Sequence, residues 1–216
     1  MAGESFKLRR LDNPTDVQLT ASADIFAELE KDDVALRAMS GGDPDLLRPL
    51  GLAMIRAIAL DGKIYAATND ADDVLGYVVT MPPGKVLFST PEQKSLGYNQ
   101  FKERLSEEAK DFYAAYLRKH PDFVSKSIAP LTRIDVWWLH IVMTRSQSQK
   151  QGIASGLIRM ILKEASEAGA TAVLSTTNPL NVPFYEGLGF LVADKMDASS
   201  PWGNWTMWIM KHEPKQ

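Results

Sequence analysis

Two apolar, β-rich segments flank an amphipathic helix between residues 139 and 177, and this arrangement constrains the fold more than any other part of the sequence. Leu139 to Thr144 has the length and composition of a buried strand. Gly152 precedes a helix whose apolar residues form one broad stripe, and Gly169 lies where a left-handed residue would end it. Ala172 to Thr177 is a second strand candidate. The predicted order is strand, tight turn, helix, strand and short helix.

The start of that helix has no acidic residue, although Asp and Glu usually occupy a first turn. Its first acid is Glu164, whereas Arg145 and Lys150 flank the turn. Free backbone N–H groups beside two cations and a glycine favour an external anion such as phosphate. Three residues of the turn have the spacing QxxGxA: Gln149, Gly152 and Ala154. This is neither a Walker P-loop nor a dinucleotide fingerprint, and a plain strand, turn and helix is the alternative.

The segment STTNPLNVPFYEGLGF at residues 175–190 adds a second pattern at a compatible distance. Together with QxxGxA and the WW pair at residues 137–138, it resembles the GNAT superfamily of acetyl-CoA-dependent N-acetyltransferases. Within that superfamily it looks most like the puromycin N-acetyltransferase group and the related fungal small-molecule acetyltransferases. Weaker similarity runs from Phe6 to Lys211, and Ser146 stands where the family often has proline.

The resemblance implies a binding site for acetyl-CoA. The pantetheine arm would pair with the backbone of three consecutive residues, Val142, Met143 and Thr144. The pyrophosphate would be held by the turn and by the first helical amides: Gln149, Lys150, Gly152, Ile153, Ala154 and Ser155. Asn178 or Asn181 would hydrogen-bond the coenzyme, and Tyr185 would lie near its sulfur and protonate the leaving thiolate. A backbone N–H near Met143 would stabilise the oxyanion.

The general base is not identified by the resemblance. His140 is a titratable group in an otherwise apolar strand and is one catalytic candidate. Asp135, just before the strand, is the next candidate, and an acidic group acting through water would also serve. Both His140 and Tyr185 have the alternative of a purely structural role in the core.

The rest of the chain follows the GNAT order of elements. A strand is predicted at Phe6–Leu11, helices end at about Glu30 and at Asp61, and a hairpin covers Lys63–Thr68 and Val74–Thr80. We therefore predict one α/β (α+β) domain over residues 1–216. Its sheet would be mixed and mostly antiparallel, with seven strands, helices on both faces and a splay between strands four and five.

A helical insertion is predicted at about residues 81–130. One helix would span residues 101–119 and would end at His120 and Pro121. Its aromatic residues could extend the core or could wall the acceptor pocket, the candidates being Phe112, Tyr113 and Tyr116. The acidic residues around the first helix are interpreted as a solvated face, with a border to a cationic substrate as the alternative: Asp24, Glu28, Glu30, Asp32 and Asp33.

Composition narrows the functional classes. A net charge of −3 provides no electrostatic footprint for nucleic acid. With no cysteine and three scattered histidines, we expect no disulfide, no thiolate nucleophile and no metal site. No apolar targeting region or membrane span is predicted, and we expect a cytoplasmic or nuclear protein that is a monomer or a homodimer.

The predicted function is acetyl transfer from acetyl-CoA to an amine of a small molecule, by direct attack in a ternary complex. One alternative is a protein or peptide N-acetyltransferase, which an open groove would favour. The other is a module that binds acetyl-CoA without catalysis.

Overall fold

A seven-stranded sheet runs through the computed structural model, which describes residues 5–214. In chain order the strands are β1 (Lys7–Leu11), β2 (Lys63–Thr68), β3 (Val74–Met81), β4 (Trp137–Thr144), β5 (Ala172–Thr176), β6 (Leu191–Ser200) and β7 (Gly203–His212). Their order across the sheet is β1-β2-β3-β4-β5-β7-β6. All neighbouring strands are antiparallel except β4 and β5, which are parallel, so the predicted mixed sheet is confirmed.

Eight α-helices of residues 5–214 cover the sheet. They are α1 (Asp16–Glu30), α2 (Val34–Met39), α3 (Leu47–Asp61), α4 (Pro91–Ser95), α5 (Tyr98–Arg104), α6 (Glu107–Ser127), α7 (Ile153–Glu167) and α8 (Asn181–Glu186). Helix α1 begins with a reciprocal capping box between Thr15 and Gln18. None of these helices combines the length and the hydrophobicity that crossing a bilayer requires.

The sheet opens between β4 and β5, as predicted. Pairing between these two strands covers only Trp137–Leu139 and Ala172–Leu174, and it stops there because β4 bends. The bend is a β-bulge at His140: Thr80 of β3 pairs with Leu139, whereas the preceding Val79 pairs with Ile141. An extra residue in one strand increases its local twist, so the carboxyl-terminal half of β4 moves away from β5.

Helix α7 packs on one face of the sheet. Its residues Ile153, Leu157 and Ile161 are at most 1% exposed and join a cluster with Leu139 and Leu174. Helices α1 and α3 cover the other face through a second cluster. The last residue of α1, Glu30, and Gln149, which precedes α7, both lie at the opening between β4 and β5.

An ion pair and a hydrogen bond connect α7 to β2. Lys63 lies 2.7 Å from Glu164, and the Tyr65 hydroxyl donates to the same carboxylate at 2.7 Å. The Lys63 ammonium also lies 4.6 Å from the centre of the Trp137 ring. These contacts hold the last turn of α7 against the sheet.

The single helix predicted over residues 101–119 is wrong in both its extent and its end. Helix α5 stops at Arg104, and Ser106 begins α6 by accepting a hydrogen bond from Ala109. Helix α6 then continues through Pro121 to Ser127. Beyond the proline, Val124 and Ile128 are 0% and 3% exposed, so their packing compensates for the lost backbone hydrogen bond. The sequence analysis also missed α2.

Candidate functional site

A cavity of about 1140 Å³ opens where β4 and β5 diverge. It is lined by the second half of β4, the segment after β5, the connection from α1 to α2, and the β6–β7 hairpin. Most of the predicted site residues line it: His140, Val142, Met143, Thr144, Gln149, Asn178, Asn181 and Tyr185. The other predicted residues, at positions 150 and 152–155, form the turn and the first helical residues next to Gln149.

The first turn of α7 leaves backbone donors free. Gly152 has φ +86° and precedes the helix, in which Gly156 makes the first backbone hydrogen bond, to the Gly152 carbonyl, at 2.9 Å. Within residues 5–214, the N–H groups of residues 152–155 have no acceptor. A side chain added at Gly152 would meet only the Ser155 hydroxyl, at 3.9 Å, so space lies open in front of these donors. Four free N–H groups at a helix start favour an anion.

Two side chains fix the turn to the sheet. The Arg145 backbone N–H donates to Leu75 at 2.8 Å, and its side-chain Nε donates to the Val74 carbonyl at 2.7 Å. Gln149 donates its side-chain amide to the Thr144 carbonyl at 3.2 Å, which leaves its second N–H available. Arg145 and the exposed Lys150 carry positive charge on the turn that leads to α7, although neither side chain lines the cavity.

The edge of β4 from His140 to Thr144 faces the cavity. On its other side this segment pairs with β3 as far as Thr144, whereas its pairing with β5 ends at Leu139. A strand edge without a partner offers N–H and C=O groups to an extended ligand that carries amides.

Tyr185 is buried at the end of α8 and is 6% exposed. Its ring packs edge-on against Phe184 and Phe190, with centroids at 5.2 and 5.9 Å. The hydroxyl makes no hydrogen bond within residues 5–214. Burial first, and then the charge of Glu30, raise the pKa of Tyr185 above its usual value, so the phenol stays protonated at neutral pH and is a weaker acid than an exposed tyrosine.

The two asparagines lie at the exposed mouth of the cavity. The Asn178 side-chain oxygen accepts a hydrogen bond from the Leu180 N–H at 3.0 Å and orders the turn before α8. Asn181 is the first residue of α8 and is exposed. Both therefore keep side-chain amide N–H groups for a ligand at the cavity mouth.

Glu30 is a site residue that the sequence analysis assigned to a solvated face, and that interpretation is wrong. It is partly buried at the end of α1, lines the cavity, and makes no side-chain hydrogen bond or ion pair within residues 5–214. Burial, followed by the charge of Asp33, raises the pKa of Glu30 to about 7. The sequence did contain a signal, because Glu30 continues the buried row of Ser22 and Phe26 at helical i, i+4 spacing.

The two base candidates from the sequence differ in position. His140 lines the cavity, and burial, with a smaller effect of the Arg133 charge, lowers its pKa to about 3. Asp135 is exposed and accepts hydrogen bonds from Thr132 at 2.6 and 2.8 Å, beyond the start of β4 and outside the cavity lining. A neutral histidine with so low a pKa is a weak base, and Asp135 is at the wrong end of the strand.

The aromatic residues of the insertion do not line the cavity, contrary to one prediction. Instead they lie behind a residue that does, Trp205. Phe112 and Tyr116 contact the Trp205 ring with centroids at 6.4 and 6.1 Å, and Phe112 also contacts Trp202 at 5.7 Å. Tyr113 packs in a separate cluster with Tyr98 and other residues of α5. The insertion therefore supports the cavity wall from outside.

A model of the acetyltransferase (GNAT) family matches residues 60–190, which is more than half of the chain. The chain is also similar to a histone acetyltransferase HPA2 and related acetyltransferase from Corynebacterium glutamicum, with 18% identity, a TM-score of 0.65 and 98% coverage of both chains. Arylalkylamine N-acetyltransferase 2 from Aedes aegypti has 13% identity and a TM-score of 0.61, with 98% and 100% coverage. The NatC complex bound to Gag peptide and CoA has 12% identity and a TM-score of 0.54, with 98% and 99% coverage. At these identities the structural likeness shows a shared fold.

Proposed function

The chain belongs to the acetyltransferase (GNAT) family, and on that premise we propose that it transfers an acetyl group from acetyl-CoA to the amine of a small molecule. The main support is the cavity, where a helix start with free amides, an unpaired strand edge, a buried tyrosine and an unpaired carboxylate meet. We propose that residues 1–216 act as one domain with α4–α6 as an insertion. We also propose kinship with the puromycin N-acetyltransferase group, on the WW pair and residues 175–190.

The residues present fit acetyl-CoA. The open space in front of Gly152, with four free amides behind it, suits a pyrophosphate, and Lys150 adds a cation beside it. The free edge of β4 from Val142 to Thr144 suits the amides of the pantetheine arm, and the two asparagines of the cavity mouth would donate to the coenzyme. Bound acetyl-CoA would supply an activated thioester carbonyl at the inner end of this path.

Glu30 is the base in the mechanism that we propose. Its carboxylate accepts the proton of the attacking amine, directly or through water, as the C–N bond forms and the C–S bond breaks. A backbone N–H of β4 near Met143 donates to the carbonyl oxygen as negative charge develops there. Tyr185 gives its phenolic proton to the leaving sulfur and regains one from solvent. His140 lies at the bulge and, with its low pKa, stays neutral throughout.

A small-molecule acceptor is supported by the shape of the site. Two indole rings, those of Trp205 and Trp208, form part of the cavity wall. An aromatic-walled cavity buries most of the surface of a small ligand, whereas a peptide chain needs an open groove.

The proposed reaction is tested by measuring thiol release from acetyl-CoA with the purified protein. The panel contains puromycin, polyamines, arylamines, amino acids and a histone-type peptide. Release with the peptide alone would contradict the small-molecule proposal.

Tyr185→Phe is expected to lower kcat about 10- to 100-fold, because the leaving sulfur loses its proton donor. The KM for acetyl-CoA should change little, since the ring and its packing are retained. Steady-state kinetics over a range of pH measure this effect. Tyr98→Phe is the matched control, because Tyr98 is also buried but packs in the α5 cluster and does not line the cavity. Unchanged turnover in the Tyr185 variant across pH would remove the general-acid role.

Phe112→Ala is expected to raise the acceptor KM about three- to tenfold, because the cavity that it leaves lets Trp205 move out of the acceptor wall. The KM for acetyl-CoA should stay constant, since Phe112 is remote from the α7 turn. Phe123→Ala is the control, because Phe123 lies on the same helix and packs on the same cluster without a ring contact to Trp205. Equal effects of the two variants would show a general loss of stability.

A further inference from the structure

The cavity is negatively charged at its acceptor end. Four carboxylates line it: Glu30 at the end of α1, Asp32 and Asp33 in the connection to α2, and Asp197 on β6. The lining contains no lysine or arginine. Nine ion pairs occur within residues 5–214, and none of them includes one of these four carboxylates. The charge of this end is therefore not balanced by the protein itself.

The four carboxylates have different local partners. Both oxygens of Asp33 are used, because they accept from the Leu36 N–H at 2.8 Å and from the Thr177 hydroxyl at 2.6 Å. Asp197 accepts from the Thr206 hydroxyl at 2.6 Å. Within the part of the chain that the structure describes, the side chains of Glu30 and Asp32 have no hydrogen-bond or ion-pair partner. All of the partners are neutral, so each ionised carboxylate keeps its full charge.

A second feature of the same cavity also indicates an absent ligand. Tyr185, at 6% exposure, lines the cavity and has a hydroxyl without a partner in residues 5–214. The hydroxyl is therefore available to a bound molecule, and the mechanism proposed above assigns it to the leaving sulfur of the coenzyme. Acetyl transfer to a simple monoamine needs one carboxylate as a base, and it leaves the other negative charges unexplained.

We propose, on the basis of the function proposed above, that the acceptor is an amine with a second positive charge, such as a diamine or a polyamine. Glu30 takes the proton of the reacting nitrogen, while Asp32 and Asp197, which are exposed and line the cavity, bind the distal ammonium. Trp205 and Trp208 also line the cavity, and indole faces attract cations. The carboxylates then favour a cationic acceptor, and the positively charged turn before α7 favours the anionic pyrophosphate of the coenzyme.

The experiment compares matched amines with the full-length protein. Acetyl-CoA-dependent rates are measured for diaminobutane and spermidine against butylamine and hexylamine, at low and at high salt. We expect kcat/KM to be at least about tenfold higher for the diamine than for the monoamine of equal length, with the ratio falling as salt screens the charges. Equal values for diamine and monoamine would overturn the inference while leaving acetyl transfer intact.

The two exposed carboxylates are tested by Asp32→Asn and Asp197→Asn. Each variant is expected to raise the KM for diaminobutane about three- to tenfold and to leave that for butylamine within about twofold. Asp122→Asn is the control, because Asp122 is an exposed acid on α6 outside the cavity. Asp33 is left unchanged, since it caps α2.

Failure of the inference differs from failure of the proposed function. Acetylation of arylamines or of puromycin without acetylation of any diamine would overturn the inference alone. An absence of thiol release with every amine, together with an absence of thermal stabilisation by acetyl-CoA, would overturn both. Raised KM values for both amines in the Asp32 variant would show general damage to the cavity and would also contradict the proposed role.

Discussion

Glu30→Gln is expected to lower kcat about 100-fold, because the amide has the shape of the carboxylate but cannot accept the amine proton. The KM for acetyl-CoA should change less than about twofold, since the Glu30 side chain makes no hydrogen bond to the turn before α7 and is proposed to act on the acceptor amine. Glu28→Gln is the matched control, because Glu28 lies on the same helix, is exposed and does not line the cavity. Steady-state kinetics of both variants measure the difference.

The proposed role of Glu30 as the base also predicts how kcat/KM changes with pH. Glu30 acts as a base only when it is ionised, and its pKa is raised to about 7, so kcat/KM of the unmodified protein should fall as the pH drops below about 7. The acceptor for this measurement is a weakly basic aromatic amine, whose own protonation lies well below that range. In Glu30→Gln the fall should be absent. A profile that keeps the same inflection in the variant would contradict the assignment of the base.

Stability offers an independent readout of the same carboxylate. The pKa of Glu30 is higher in the folded protein than in the unfolded chain. Ionisation of Glu30 therefore destabilises the folded state, and this effect develops as the pH rises from about 4.5 to about 7. Glu30→Gln should therefore raise the free energy of unfolding by about 1–2 kcal/mol at alkaline pH and by much less near pH 5. Denaturant titrations at the two pH values measure this. An equal change at both values would contradict burial of the charge.

Gly152→Ala is the second large effect that we expect. The methyl group would lie in the open space before the free amides of α7, where the proposed pyrophosphate must approach, so the KM for acetyl-CoA should rise at least about tenfold. Gly152 has φ +86°, and alanine in that conformation also costs about 1 kcal/mol of stability. The kinetic effect must therefore be separated from the effect on folding.

Gly169 provides that separation. It lies just after the other end of α7, has φ +64°, and has no heavy atom within 4 Å of an added side-chain carbon. Gly169→Ala should therefore lower the free energy of unfolding by a similar amount while the KM for acetyl-CoA stays within about twofold of its original value. Binding is measured by titrating CoA in a thermal-shift assay and by kinetics. Equal KM values for the two variants would contradict the proposed pyrophosphate site.

Local patterns were sufficient for the α7 turn and for most elements around it. The glycine at position 152, the lack of acids in the first turn and the apolar stripe of α7 all act within a few residues, so the sequence predicts them directly. The same holds for the hairpin of β2 and β3. The resemblance of residues 175–190 to the GNAT superfamily supplied the candidates in the second half of the site.

Only the tertiary structure decided which carboxylates enter the cavity. Glu30 and Asp32 look like solvated acids in the sequence, and their position depends on where α1 ends relative to β4, after a bulge at His140 that no local pattern predicts. Burial by residues far away in the sequence raises the pKa of Glu30 to about 7. The extension of α6 past Pro121 has the same origin, because distant packing partners outweigh a local preference. Short-range rules in the sequence determined the turn before α7 and most single elements, and the GNAT resemblance supplied the fold, whereas long-range burial and charge decided which carboxylates line the cavity.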